Sequence, residues 1–200
     1  MLLWRDPQAL VLASRSPTRR AILEAAGIPV EVCVADLDER AIERRAGVLS
    51  AAEAATLLAR EKARAPRVTG RFVVGADQTL ALGSQRFSKP TDRAAAREQL
   101  RALSGRTHEL HSAVAVARDG RVVFSHVDVA RLTMRALSER FLDAYLDAAG
   151  AQATASVGGY QLEKLGVHLF ERVEGDHFTI LGLPLLALLA FLRREGSLAQ

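Results

Sequence analysis

The run Phe72-Val73-Val74-Gly75-Ala76 is apolar at every position and stops on a carboxylate, Asp77. With no alternating polar face, such a run predicts a strand covered on both sides, inside an α/β layer structure. An acidic residue where that strand should end stands where α/β folds carry site residues. About half of the 200 residues are apolar (49%), enough for one sizeable core, as one compact domain or two closely packed lobes. Residues 1–200 read as a single domain, with no internal repeat, low-complexity tract or long linker.

Leu10 to Ala13 is a short apolar run closed by Ser14, and Ser16-Pro17 supplies a cap and a first-turn proline for a helix ending at Gly27. Val30 to Val34 predicts a second strand with Cys33 as a small core residue, followed by the acidic stretch Asp36-Leu37-Asp38-Glu39. Ser50 and Glu53 have capping-box spacing for a helix through about Arg64. Thr91 can cap a helix through Leu103, and another runs from around Ser138 to Ala149. Asp119-Gly120, between Val114-Ala115-Val116 and Val122-Val123-Phe124, signals a hairpin, and a second is expected around Glu174-Gly175-Asp176. Pro184 starts the last helix.

Composition narrows the function. The 27 basic residues exceed the 23 acidic ones by a small margin and are spread along the chain, which suits an anionic small substrate. Aromatic residues make up 5%, too few for the stacking platforms of single-strand binders, so nucleic-acid binding is the weaker reading. The run Ile180 to Leu192 falls short of the roughly 18 to 20 residues of a membrane span. Met1 to Pro7 does not read as a signal peptide, and a single cysteine cannot form an internal disulfide; a reducing, cytoplasmic setting is expected.

Arg19 and Arg20 sit in the first turns of the first helix, where the dipole disfavours cations by roughly 0.3 to 1 kcal/mol each. An anion would relieve that cost, and Ser14 and Ser16 leading into a helix N-terminus make a phosphate cradle; a capped helix with solvated arginines explains the segment as well. Lysine occurs only at Lys62, Lys89 and Lys164 in a chain rich in arginine, so these positions read as places that need a compact ammonium. Lys62 follows Ala54 and Leu58 at helical intervals, on or beside the apolar stripe, where it either snorkels or reaches a cleft. Glu39 and Asp77 each come just after a predicted strand and could supply hard oxygen ligands for Mg²⁺ or Mn²⁺. Neither a Gly-x-x-x-x-Gly-Lys-Ser/Thr loop nor a Gly-x-Gly-x-x-Gly fingerprint is present, and His108 and His111 should face opposite sides of a strand rather than share a zinc ion.

In order along the chain, Ala13-Ser14-Arg15-Ser16-Pro17-Thr18-Arg19-Arg20, Leu37-Asp38-Glu39, Glu61-Lys62-Ala63, Gly75-Ala76-Asp77, Ser88-Lys89-Pro90, Leu103-Ser104-Gly105-Arg106-Thr107-His108 and Gly182-Leu183-Pro184-Leu185 resemble the motifs of the Maf family. The resemblance implies a mixed α/β, inosine triphosphatase-like fold: an elongated twisted sheet with flanking helices, in two lobes around a central cleft. It further implies a nucleoside triphosphate pyrophosphatase in which Ser14, Arg19, Arg20, Lys62 and Lys89 grip the phosphates, Glu39 and Asp77 hold a divalent metal, and Asp77 activates water. Family members are often dimers. Substrate choice in the family is associated with positions that fall on Thr18, Gln78 and Glu163. Gln78 and Glu163 resemble the branch acting on 7-methyl-GTP, while Gly159-Tyr160 looks more like the dTTP/UTP branch, and Thr18 replaces the tryptophan frequent in the former. The competing readings are a dTTP/UTP pyrophosphatase, a non-enzymatic nucleotide-binding regulator of cell division, and a basic RNA-binding module.

Overall fold

The computed structural model describes residues 3–34 and 36–200, a mixed α/β structure with a seven-stranded sheet and flanking helices. Its strands are β1 (Leu10–Leu12), β2 (Val30–Val32), β3 (Phe72–Leu82), β4 (Gln85–Phe87), β5 (Thr107–Arg118), β6 (Arg121–Met134) and β7 (Phe170–Glu174). The helices are α1 (Pro17–Ala25), α2 (Glu39–Ala46), α3 (Ala51–Arg64), α4 (Arg93–Leu103), α5 (Glu139–Ala149), α6 (His177–Ile180) and α7 (Leu185–Arg194). Strand order is β2-β1-β3-β5-β6-β7, with β4 paired to β3. Two compact units arise: the chain up to Gln78 with Ser112–Asp128 and Gly182–Gln200, and Thr79–His111 with Val129–Leu181.

In the first unit β1 runs parallel to β2 and β3, with Leu10 opposite Val30 and Val11 opposite Val73. Ser16 caps α1, accepting from the Arg19 amide at 3.3 Å, and Pro17 occupies the first turn. The capping box of α3 is closed both ways: Glu53 N–H reaches Ser50 Oγ at 3.3 Å, and Ser50 N–H reaches Glu53 Oε2 at 2.8 Å. Ala55, Ala59 and Ala63, one helical turn apart, pack with Ala113, Ala115 and Ala117 of β5. Side chains this small let backbones come close, and the limit is reached at Gly75 of β3. A Cβ there would overlap the carbonyl oxygen of Ala59 and the amide nitrogen of Ala63. Phe191 fixes α7 by packing edge-on to Phe72 (5.4 Å between ring centres) and stacking on Phe124 (4.8 Å).

The second unit has its own core, in which Leu80, Leu100, Leu132, Met134, Leu142, Leu146 and Tyr160 are buried together. Ser138 caps α5, accepting from the Phe141 amide at 3.2 Å.

Several local expectations are corrected. The strand carrying Asp77 does not end there but continues to Leu82, because it changes partners: parallel to β1 at Val73 and Val74, antiparallel to β4 from Leu80 to Leu82. Its backbone groups stay paired beyond the carboxylate, so Asp77 lies within a strand. Glu39 is not a residue in a loop after a strand; Asp38 accepts from the Ala41 amide at 2.9 Å and Glu39 opens α2, an acidic start that suits the helix dipole. The strand expected over Val30 to Val34 stops at Val32, with Val32 and Val34 exposed and Cys33 only half-buried against Val11, Ala13 and Val73. Asp92 rather than Thr91 caps α4, accepting from Ala95 N–H at 2.8 Å. Around Gly175 there is no second hairpin: β7 pairs back onto β6, and Asp176 caps α6, accepting from Thr179 N–H at 3.0 Å. Among the described residues no helix is long and apolar enough to cross a membrane.

Gly75→Ala is expected to lower stability by roughly 3 kcal/mol, since the added methyl meets backbone on two sides rather than a side chain that can turn away. The measurement is the denaturation midpoint, at unchanged dependence on denaturant concentration.

Candidate active site

Gly75 and Asp77 are two residues apart on β3 and share the face against which α3 packs. Lys62, next to Ala63 on α3, is thereby carried to the carboxylate. Its Nζ lies 2.6 Å from Asp77 Oδ1 and 2.9 Å from Glu39 Oε1, so one ammonium joins the strand to α2. The Asp77 and Lys62 side chains are 12% and 16% exposed, which removes most of the water that would screen the pair. Burial pushes the Asp77 carboxyl above the ordinary aspartate value of 3.8; the charges of Lys62 and Arg19 and the Lys62 hydrogen bond pull the other way without reversing it, and Glu39 adds to the rise.

Arg19 crosses from α1 to the same place. Its Nε donates to the Gly182 carbonyl at 2.8 Å, and its Nη1 donates to the Ala76 carbonyl at 2.8 Å and to Ser14 Oγ at 3.1 Å. Ala76 directly precedes Asp77, so the guanidinium fixes the peptide that sets the carboxylate's position. Burial lowers the pKa of Arg19, with Asp77 and Glu39 opposing, and the side chain remains a cation. The cost of a cation in the first turn of α1 is thus offset within the protein, by carbonyl oxygens and two carboxylates. Ser14 Oγ accepts from Arg19 and also from the Ser16 amide at 3.3 Å, which leaves its own O–H as a donor.

The remaining sequence-derived residues are placed differently. Arg20 is exposed and turned to Glu24, Nε to Oε1 2.7 Å. Thr18 is half-buried on α1. Gln78 follows Asp77 on β3 and donates to Ser112 Oγ at 2.9 Å. Lys89 and Glu163 belong to the second unit. There Lys89 is exposed in the turn before α4, beside the buried Pro90, and Glu163 is exposed in a turn closed by the Lys164 amide on the Gln161 carbonyl at 3.1 Å. Ser14, Arg19, Glu39, Lys62 and Asp77 are therefore brought together, whereas Arg20 is not part of their hydrogen-bonded network. Gly182 and Ser112 were missed as site residues, because neither a carbonyl acceptor nor a serine within a strand has a distinguishing sequence pattern.

Two carboxylates converging on one ammonium mark a point where a cation is the favoured occupant. Among the described residues no group of three or more His, Cys, Asp or Glu could hold a metal; Glu39 and Asp77 are two carboxylates brought to one point, on the Lys62 ammonium. A pair of carboxylates is a donor set that could serve Mg²⁺ or Mn²⁺, hard cations that take oxygen ligands and keep several waters.

A family model described as Maf-like protein matches residues 9–195. Over 201 residues, covering 100% of both chains, the sequence is 60% identical to a nucleoside triphosphate pyrophosphatase from Nitrobacter hamburgensis. The protein of the same name from Bradyrhizobium diazoefficiens is 58% identical over 201 residues, again covering 100% of both. A 7-methyl-GTP pyrophosphatase from Mesorhizobium japonicum is 50% identical over 196 residues, covering 96% of this chain and 98% of its own.

Lys62→Met removes the cation that most strongly holds down the pKa of Asp77, so the carboxyl should titrate at higher pH than in the unaltered protein. Carbon NMR of the Asp77 side chain across an acid titration reads this; an unmoved midpoint would show that burial alone sets it.

Proposed function

The chain belongs to the Maf-like family, and on that basis we propose that it hydrolyses a nucleoside triphosphate to the monophosphate and pyrophosphate, with 7-methyl-GTP as the preferred substrate. The observation that carries the reading is the buried Asp77 carboxylate held by Lys62 and, through the Ala76 carbonyl, by Arg19. In hydrolysis at the α-phosphorus, a water oxygen bonds to phosphorus and its proton passes to Asp77. The bond to the bridging oxygen breaks, and pyrophosphate leaves with the electron pair. An aspartate with a pKa raised by burial is a better base for this than an exposed one, because its carboxylate binds the proton more firmly. Ser14, Arg19, Arg20, Lys62 and Lys89 bind phosphate oxygens, the ammonium and guanidinium groups offsetting the charge that develops on the leaving group.

Glu39 and Asp77 would hold a divalent metal, Mg²⁺ or Mn²⁺, which when bound would supply further charge neutralisation along the phosphate chain. Base choice falls to Thr18, Gln78 and Glu163. Methylation at N7 leaves guanine cationic while its Watson–Crick edge still offers donors, and the Glu163 carboxylate suits both properties. The half-identical relative named for 7-methyl-GTP supports this choice over dTTP or UTP. With a lone thiol at Cys33, the protein suits the reducing cytoplasm.

Asp77→Asn should reduce kcat roughly a hundred- to ten-thousand-fold in a pyrophosphate-release assay. The fold should survive. A carboxyl whose pKa is raised on folding stabilises the protein below its unfolded pKa and loses that contribution as pH rises through the folded value. An amide therefore should not lower Tm at neutral pH; near-normal turnover by the folded variant would remove Asp77 from the mechanism.

Glu163→Gln should lower kcat/KM for 7-methyl-GTP roughly ten- to a hundred-fold, and less for dTTP and UTP, because it removes a charge-assisted contact to the base alone. An equal loss on all three nucleotides, or a preference of the unaltered protein for dTTP or UTP, would overturn the base assignment and leave the pyrophosphatase reading standing.

A further inference from the structure

Three consecutive residues of the second unit are held by three different elements. Gly158 and Gly159 have φ of +78° and +77°, in the left-handed region that favours glycine, and Tyr160 after them is buried. The Gly158 amide donates to Gln99 Oε1 of α4 at 3.0 Å, and the Tyr145 hydroxyl of α5 donates to the Gly159 carbonyl at 3.2 Å. His108 of β5 shares a 2.7 Å hydrogen bond with the Tyr160 hydroxyl. Space is closed as well, since a Cβ at Gly158 would lie 2.7 Å from Leu80 Cδ1 and 2.8 Å from the Tyr160 ring. Glu163 follows in the next turn.

Gln99 differs from the other two clamps because its second arm is also committed. Its Nε2 donates to the Ser88 carbonyl at 2.8 Å, and Ser88 is the residue before Lys89. The orientation of the amide is determined by its partners: turned over, it would set N–H against N–H at Gly158 and carbonyl against carbonyl at Ser88. One half-buried carboxamide thus joins the backbone of the Lys89 turn to the backbone of the segment leading to Glu163.

We infer that Gln99 is a positioning residue that couples the phosphate-gripping turn of Lys89 to the base-reading segment Gly158 to Glu163. The inference rests on the roles given above to Lys89 and Glu163. An amide is suited to the task because it offers one acceptor and one donor to two backbones that differ in need. A carboxylate could serve Gly158 but would repel the Ser88 carbonyl, and a thioether would serve neither.

The test compares Gln99→Glu and Gln99→Met in the full chain, by kcat and KM on 7-methyl-GTP and dTTP, and by amide hydrogen exchange at Gly158. Gln99→Glu should lower kcat/KM roughly tenfold on both nucleotides, with unchanged preference and with Gly158 as protected as before. Gln99→Met should also change the ratio between the two nucleotides, by roughly threefold or more, and should speed exchange at Gly158. A purely structural role would move Tm and leave that ratio fixed in both variants, which overturns the inference. Lys89→Met and Glu163→Gln, assayed alongside, separate the possible failures. Silent Gln99 variants beside impaired Lys89→Met and Glu163→Gln overturn the coupling and leave the site reading intact. Silence of Lys89→Met and Glu163→Gln overturns the site reading and the coupling together.

Discussion

The contact between Gly75 and the backbone of α3 is the constraint on which the first unit's charge pairing depends. No side chain separates the Ala59 carbonyl and the Ala63 amide from β3 at that point. The alanine face of α3 continues the same close packing against β5. A lysine one residue from such a contact has little freedom in where its stem begins, so most of its reach is spent on the two carboxylates rather than on searching solvent. A bulkier interface would move the ammonium away from Asp77 and unmake the pairing at 2.6 Å. Packing of the smallest side chains in the chain therefore determines the placement of its most consequential charges.

Electrostatically the site is a set of opposing demands. Burial disfavours ionised Asp77, while Lys62 and Arg19 favour it. Arg19 satisfies this role with donors that also serve three separate segments, through Ser14, Ala76 and Gly182. A buried cation left without acceptors would cost far more than the helix dipole does. The carbonyls that receive it are ordinary backbone groups, and their value lies in convergence.

How much of this was legible in the sequence depended on range. The Ser50–Glu53 box, the Asp119-Gly120 turn, the Ser16-Pro17 start and the Ser138 cap are signals contained within a few residues, and each formed as read. Helix α2 was missed because Glu39 to Ala46 buries no residue and is only two turns long, with Ala41, Ile42 and Ala46 its few apolar residues among charged ones. The true end of β3 depended on which strands would pair with it, a property of the whole sheet. Of the residues that the fold brings together, Lys62 stood out by type in an arginine-rich chain, Asp77 by closing an apolar run, and Ser14 and Arg19 by their place at the start of a helix. The acceptors of Arg19 did not, since every residue has a carbonyl and only the folded chain shows which ones meet.

His108 gives the second unit a different response to acid from that of Asp77 in the first. Shut away beside Tyr160 and Phe170, its imidazole has a pKa pushed down to about 4, against an ordinary value of 6.5. The unfolded chain therefore takes up a proton at this residue well before the folded one does. Stability contributed by the neutral ring is complete above pH 6.5 and drains away as the solution is acidified toward about pH 4. Asp77 has the opposite sign over its own range. Mild acidity thus costs stability at His108 in the second unit and does not do so at Asp77 in the first.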